Sequence, residues 1–359
     1  MLPVRTGAGG TATRFLASTP SAAAWADAGD CFEVSRGGGA TSLHCLPGLI
    51  NIGVQKAGTG ELQHWLDVHP AVVTHGGEVH FFDGQSSTAC TARQRGPLRL
   101  RYARFLWRRR GLQRADVQGR LLFEKTPAYF DQASPRLVAC AVPSAQLLIM
   151  LRAPAERARS AYSMCQRELG ADWCRAPFDE AVARILGGVD GASDGASGVV
   201  PRVNRRALRR SPHMRRMLQM GQYAVFLRRW LGYFPPGRVG ILWLEQFKVD
   251  PFRCMRAVET FAHLPAHDFR KIATRNAAGL YVVGDSKSSS AATSGDAAAA
   301  TAASRRRNAS AAAHSRSSGA GIVALRAYYA PWQRRLRALV LEHNLTLSGL
   351  DLKRSPIGI

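Results

Sequence analysis

The feature that most restricts this chain is a set of short, predominantly apolar runs separated by stretches with helical spacing. The clearest run is Gln146–Leu151, reading QLLIML, which Arg152-Ala153-Pro154 ends. A run with no polar face must be covered on both sides, as a strand of a parallel sheet is. Residues 49–54 (LINIGV), 71–73, 121–123 and 239–244 are further strand candidates. Helical spacing fills the intervals. It runs from about Gly60 to Pro70 with Leu62, Trp65 and Leu66 on one face, then over residues 155–169, and over 214–234 through Leu218, Tyr223, Phe226, Leu227, Trp230 and Leu231. A further helix is expected from the end of the 239–244 strand to about His263, and a basic amphipathic one over 322–343. Strands alternating with helices predict an α/β fold, a parallel sheet with helices on both faces. At 359 residues the chain can bury one large core with appendages.

Three segments fall outside that pattern. Residues 1–45 are rich in Gly, Ala, Ser and Thr and read as a flexible N-terminal arm, leaving 46–359 as one domain. Residues 187–200 are Gly-rich and read as a mobile loop, and 286–319, Ala/Ser-rich around Arg305-Arg306-Arg307, as a disordered insertion. No stretch approaches the roughly 20 apolar residues that span a bilayer. Residues 1–26 hold no acid, two arginines and many small residues, a transit-peptide-like composition without a signal-peptide apolar block. Loss of an upstream anchor from a longer chain accounts for it equally.

Lys and Arg total 49 against 25 Asp and Glu, a formal charge of +24, which concentrates anions at the surface. The densest basic run is Arg93, Arg95, Arg99, Arg101, Arg104 and Arg108 to Arg110, either the wall of a polyanion groove or a solvated helix. The seven cysteines form no CxxC pair and no zinc-spaced cluster, so no metal site is expected. Cys165 and Cys174 flank a turn-like stretch and read equally as a disulfide or as two thiols; the odd count leaves at least one thiol unpaired within the chain.

Two elements carry chemistry. Gly53-Val54-Gln55-Lys56-Ala57-Gly58-Thr59-Gly60 joins a strand to a helix. Small residues there let backbone N–H groups close on a phosphate, the helix N-terminus adds partial positive charge, Lys56 a full one and Thr59 a hydroxyl. It is not a Walker A loop, whose lysine follows the second glycine. The second element is RAPAERARSAY, residues 152–162, directly after the strongest strand. Arg152 ends a strand on the side where open α/β sheets bind ligands, and Ser160 follows a little over two helical turns later.

Together these elements resemble the two signatures of the PAPS-dependent sulfotransferase superfamily, the 5′-phosphosulfate loop and the 3′-phosphate motif (PAPS, 3′-phosphoadenosine 5′-phosphosulfate). Glu78-Val79-His80-Phe81-Phe82-Asp83 and Glu124-Lys125-Thr126-Pro127-Ala128-Tyr129-Phe130 are similar to segments of the heparan sulfate glucosaminyl 3-O-sulfotransferases, with related segments in N-sulfotransferases. His69-Pro70, residues 221–224 and 230–235, and residues 325–332 resemble further landmarks of Golgi polysaccharide sulfotransferases. The resemblance covers about Leu46 to Leu350 outside the two interruptions.

It implies a P-loop-like parallel sheet in a single sulfotransferase domain, with PAPS as donor and no metal. Lys56 would contact the bridging oxygen, while Ala57, Gly58, Thr59 and Gly60 would wrap the 5′-phosphate. Arg152 and Ser160 would hold the 3′-phosphate, and Tyr281 would lie near the nucleotide. Glu78 would be the general base, and His80, Asp83 and Lys125 would line the acceptor site. The implied acceptor is a carbohydrate hydroxyl or amine, an anionic polysaccharide rather than nucleic acid, and the implied compartment is the Golgi lumen. Alternatives are a small-molecule or protein-tyrosine acceptor, or an inactive polyanion-binding relative. The chain departs from the pattern at Ala153, usually Asp, at Ala57, usually Gly, and in lacking the C-terminal cysteine pair of the 3-O-sulfotransferases.

Overall fold

The computed structural model describes residues 13–15, 31–35, 41–85, 90–108, 114–186, 201, 203–283, 319–351 and 355–356. The strands are β1 (Thr13–Phe15), β2 (Cys31–Ser35), β3 (Thr41–Cys45), β4 (Leu49–Gly53), β5 (Val72–Thr74), β6 (Leu121–Lys125), β7 (Gln146–Leu151), β8 (Val239–Trp243), β9 (Ala273–Arg275) and β10 (Tyr281–Val283). The helices are α1 (Thr59–Asp67), α2 (Ala92–Leu106), α3 (Arg114–Val117), α4 (Tyr129–Gln132), α5 (Pro135–Ala141), α6 (Pro154–Met164), α7 (Phe178–Leu186), α8 (Arg205–Arg210), α9 (Pro212–Gln219), α10 (Tyr223–Leu231), α11 (Leu244–Val249), α12 (Pro251–Phe261) and α13 (Ala320–Glu342).

Five strands form the central sheet in the order β5-β6-β4-β7-β8, and every pairing in it is parallel. Successive side chains of a strand point to opposite faces. On β7, Leu147, Ile149 and Leu151 join one apolar cluster while Leu148 and Met150 join the other. The first face is covered by Leu98 and Tyr102 of α2, Leu137 and Val138 of α5, and Leu227 and Trp230 of α10. The second is covered by Leu62, Trp65 and Leu66 of α1 and by Met255 and Val258 of α12. All of Leu147 to Leu151 are at most 1% exposed, so neither face of the middle of the sheet sees water. At about 1.5–3 kcal/mol for each such buried side chain, these runs anchor the fold.

Three sequence expectations change. Within the segment read as an arm, β2 and β3 form an antiparallel hairpin closed by a Cys31–Cys45 disulfide, and Phe32 and Val34 are buried in the main core. The helix expected over 214–234 is two, α9 and α10, parted at Met220–Gln222; a Cβ on Gly221 would stand 2.6 Å from the Tyr329 ring. The helix expected to His263 is likewise α11 and α12, the second starting at Asp250-Pro251, where the Asp250 carboxylate accepts from Arg253 N–H. Further bridges join Cys90 to Cys140 and Cys165 to Cys174, and Cys254 is a buried free thiol. The Gly-rich 187–200 segment and residues 286–318 of the expected insertion lie outside the described residues. No described helix is long and apolar enough to cross a membrane.

Candidate functional site

β4 and β7 are neighbours in the sheet and parallel, so the two turns that leave them emerge side by side at the C-terminal edge. The first turn runs from Gly53 into α1. Lys56 has φ 69° and Gly58 φ 84°, the left-handed region that costs a side-chain-bearing residue about 1–2 kcal/mol. Those two reversals fold the turn back and point the first N–H groups of α1, which have no partner within the helix, toward open space. Gly53 packs so tightly on Phe130 that a Cβ would lie 2.5 Å from its Cβ. Ala57, between the reversals, turns its methyl into the core and is fully buried, with its N–H given to Val54 O at 3.2 Å. The glycine-to-alanine departure therefore costs the cavity no space.

The second turn runs from Leu151 into α6. Arg152 Nη1 donates to Lys56 O at 3.2 Å, tying the two turns together. Tyr223 Oη donates to Arg152 O at 2.9 Å. Ala153 N–H, at the departure from Asp, donates to Glu245 Oε1 at 2.9 Å, so a carboxylate from α11 meets the start of α6. Burial pushes Arg152 below its ordinary value, opposed by Glu245 and Glu156. Burial also lowers Lys56, with Arg167 and Arg152 acting the same way and Glu168 and Glu78 opposing.

A cavity of about 620 Å³ opens between the turns, inside the range typical of small-molecule sites. Its lining includes Lys56, Gly58, Thr59, Gly60, Glu78, Lys125, Arg152, Ser160 and Tyr281. The structure thus brings nine of the residues singled out from sequence to one space. Tyr281 stands edge-on to Phe252 at 4.8 Å, with the Arg275 guanidinium 4.5 Å from its ring centre.

In the same lining, Glu78 Oε1 accepts from Lys125 Nζ at 3.1 Å, while Glu78 Oε2 lies 3.1 Å from His80 Nε2. His80 Nδ1 in turn lies 2.6 Å from Asp83 Oδ2. His80 and Asp83 therefore stand behind Glu78 rather than in the cavity lining, and Ala57 is below it. The sequence reading assigned no role to Met164, whose sulfur accepts from Lys56 Nζ at 3.3 Å. Its position four residues after Ser160, on the same helical face, was a usable signal. Phe247, Lys248, Asn276 and Leu280 also line the cavity, and no local pattern marks them. Among the described residues no group of three His, Cys, Asp or Glu is placed to hold a metal ion.

A paired cation set, free helix N–H groups and a carboxylate facing them across one cavity can hold a polyanionic donor and deprotonate a neighbouring acceptor. No protein-family model matches the chain. It is 30% identical over 220 residues to mouse heparan sulfate glucosamine 3-O-sulfotransferase 6, covering 61% of this chain and 52% of that protein. It is 28% identical over 239 residues to human bifunctional heparan sulfate N-deacetylase/N-sulfotransferase 3, covering 64% of this chain and 24% of that one. The chain thus spans about half the length, or less, of these curated relatives. The fold is similar to that of a sulfotransferase from Alicyclobacillus acidocaldarius, with a TM-score of 0.50 and 20% identity, covering 82% of this chain and 96% of that one. In sequence over about three fifths of its length, and in fold, this chain thus resembles sulfotransferases.

Proposed function

We propose that this chain is an enzyme that transfers a sulfuryl group from PAPS to a hydroxyl or amine of a carbohydrate, an anionic polysaccharide by its charge and its relatives. The observation that carries the reading is the shared cavity, whose lining holds Lys56, Arg152, Ser160 and Glu78 together. The donor fits what the residues offer: two cations, the N–H groups of the first turn of α1, and an aromatic ring at Tyr281.

In the reaction, Glu78 takes the proton of the acceptor as the acceptor atom bonds to sulfur. The bond from sulfur to the 5′-phosphate oxygen breaks, and that oxygen keeps the electron pair on adenosine 3′,5′-bisphosphate. Lys56 stabilises the charge gathering on the departing oxygen, and Gly58, Thr59 and Gly60 hold the 5′-phosphate. Arg152 and Ser160 grip the 3′-phosphate. Lys125 and His80 aim the Glu78 carboxylate, with Asp83 orienting the imidazole. Catalysis of this kind is positioning plus charge stabilisation. Three disulfides suit an oxidising compartment, in keeping with a secretory or Golgi setting for one domain continuous with the hairpin.

An acceptor screen with radiolabelled PAPS, run on the parent and on Glu78→Gln, tests the reading. The parent labels a polysaccharide, and the variant loses roughly 100-fold or more in turnover while binding adenosine 3′,5′-bisphosphate normally. Label on tyrosine peptides or small phenols alone would reassign the acceptor, and heparin binding without nucleotide binding would make the chain an inactive polyanion binder.

A further inference from the structure

We propose that Glu124 is a positioning residue for the acceptor-side carboxylate: through the hydroxyl of Thr126 it fixes the backbone of the loop that carries Glu78. The proposal rests on the reading of Glu78 as the base. Glu124 lies on β6 beside Lys125, but it points away from the cavity and is fully buried. Thr126 Oγ1 donates to Glu124 Oε1 at 3.0 Å. Thr126 Oγ1 itself accepts from the N–H of Val79 at 2.9 Å and of His80 at 3.4 Å. Tyr129 Oη accepts from Phe81 N–H at 3.0 Å and hydrogen-bonds Glu124. Three successive N–H groups, starting one residue after Glu78, therefore end on two hydroxyls, and the buried Glu124 carboxyl orients the one, Thr126, that takes two of them.

The assignment of protons follows from capacity. A hydroxyl has one proton to give. Thr126 accepts from the loop and gives its one proton to Glu124, so its hydroxyl is locked in rotation. The loop needs such a lock, because His80 sits at φ 55°, a conformation a histidine holds only when its surroundings impose it. Tyr102 Oη, from α2, contacts the other carboxyl oxygen, Oε2, and closes the network on its core side. The Glu124 carboxyl makes no contribution to the cavity wall, so it acts on the reaction only through the loop.

The test uses Thr126→Val, which keeps the shape and removes the hydroxyl, with Thr126→Ser as the conservative partner. Amide hydrogen exchange at Val79 and His80 reads the loop directly, turnover reads the base, and calorimetry with adenosine 3′,5′-bisphosphate reads the donor side. Thr126→Val is expected to speed exchange at those amides and lower kcat roughly 10-fold or more, with nucleotide affinity held within about twofold. Thr126→Ser is expected to restore both readouts to within about threefold of the parent. Unchanged exchange in Thr126→Val overturns the proposal. So does faster exchange with unchanged kcat, which would leave Lys125 and His80 as sufficient supports. A fall in nucleotide affinity as large as the fall in kcat would mark a general loss of structure and also overturns it. If the parent transfers no sulfuryl group to any acceptor, the function falls separately, and exchange still decides whether the network holds the loop.

Discussion

Burial of Glu124 should leave a measurable signature on stability. Removal from water raises its carboxyl from the ordinary 4.5 to about 8, with the Asp83 charge acting in the same direction and the Thr126 and Tyr129 hydroxyls opposing. The unfolded chain therefore releases this proton first, while the folded chain keeps it. Stability from this group is full below about pH 4.5 and declines as pH rises toward 8. Each pH unit in that window is worth about 1.4 kcal/mol, so the whole loss is on the order of 3–5 kcal/mol. Glu124→Gln mimics the protonated, neutral carboxyl and does not titrate. Urea unfolding of parent and variant at intervals from pH 5 to 9 should give a difference in stability that changes in the variant's favour as pH rises. The slope should vanish above the folded pKa. A constant difference across the range would refute the burial argument.

Gly58→Ala should destabilise the chain by about 1–2 kcal/mol from its left-handed φ alone, and the new Cβ would meet Leu244 Cδ1 at 2.6 Å. Adenosine 3′,5′-bisphosphate affinity, measured by calorimetry, should fall with it; undiminished affinity would remove the loop from the donor site. Because burial lowers Lys56, donor binding should weaken at high pH earlier than an exposed lysine would allow, and Lys56→Arg should move that alkaline limb upward. A limb left in place by the substitution would assign it to another group. Arg206 and Arg210 are exposed, line a groove of about 860 Å³ with Trp173 and Arg184, and sit in a stretch from Asn204 to Gln219 without an acid. Replacing both by Ala should release the protein from heparin at lower salt while nucleotide affinity stays the same. Unchanged elution would place the polyanion elsewhere.

The sheet was legible because its strands are apolar on both faces, and QLLIML leaves no other arrangement. The hairpin of β2 and β3 was not. Small residues around it read as an arm, and only pairing of Cys31 with Cys45 and burial of Phe32 and Val34 organise it. The break between α9 and α10 depends on contact between Gly221 and Tyr329, more than a hundred residues away, although a glycine inside helical spacing was a warning. In the cavity, the lining from Lys56 to Gly60 and from Arg152 to Ser160 was readable because each set lies in one short continuous stretch. Glu124 was not, since a single acid in an apolar strand acquires meaning only when Tyr102 is folded over it. Asn276 and Leu280 arrive on a hairpin whose distance from the cavity is set by tertiary packing alone.

The Cys165–Cys174 bridge closes a short loop directly after Met164, the residue that touches Lys56. A bridge of that span constrains the unfolded chain by on the order of 2–3 kcal/mol. Whoever produces this protein in a reducing bacterial cytosol will obtain material in which the segment beside Lys56 is unfastened. Inert preparations of that kind would say more about the choice of expression host than about the chemistry the cavity supports.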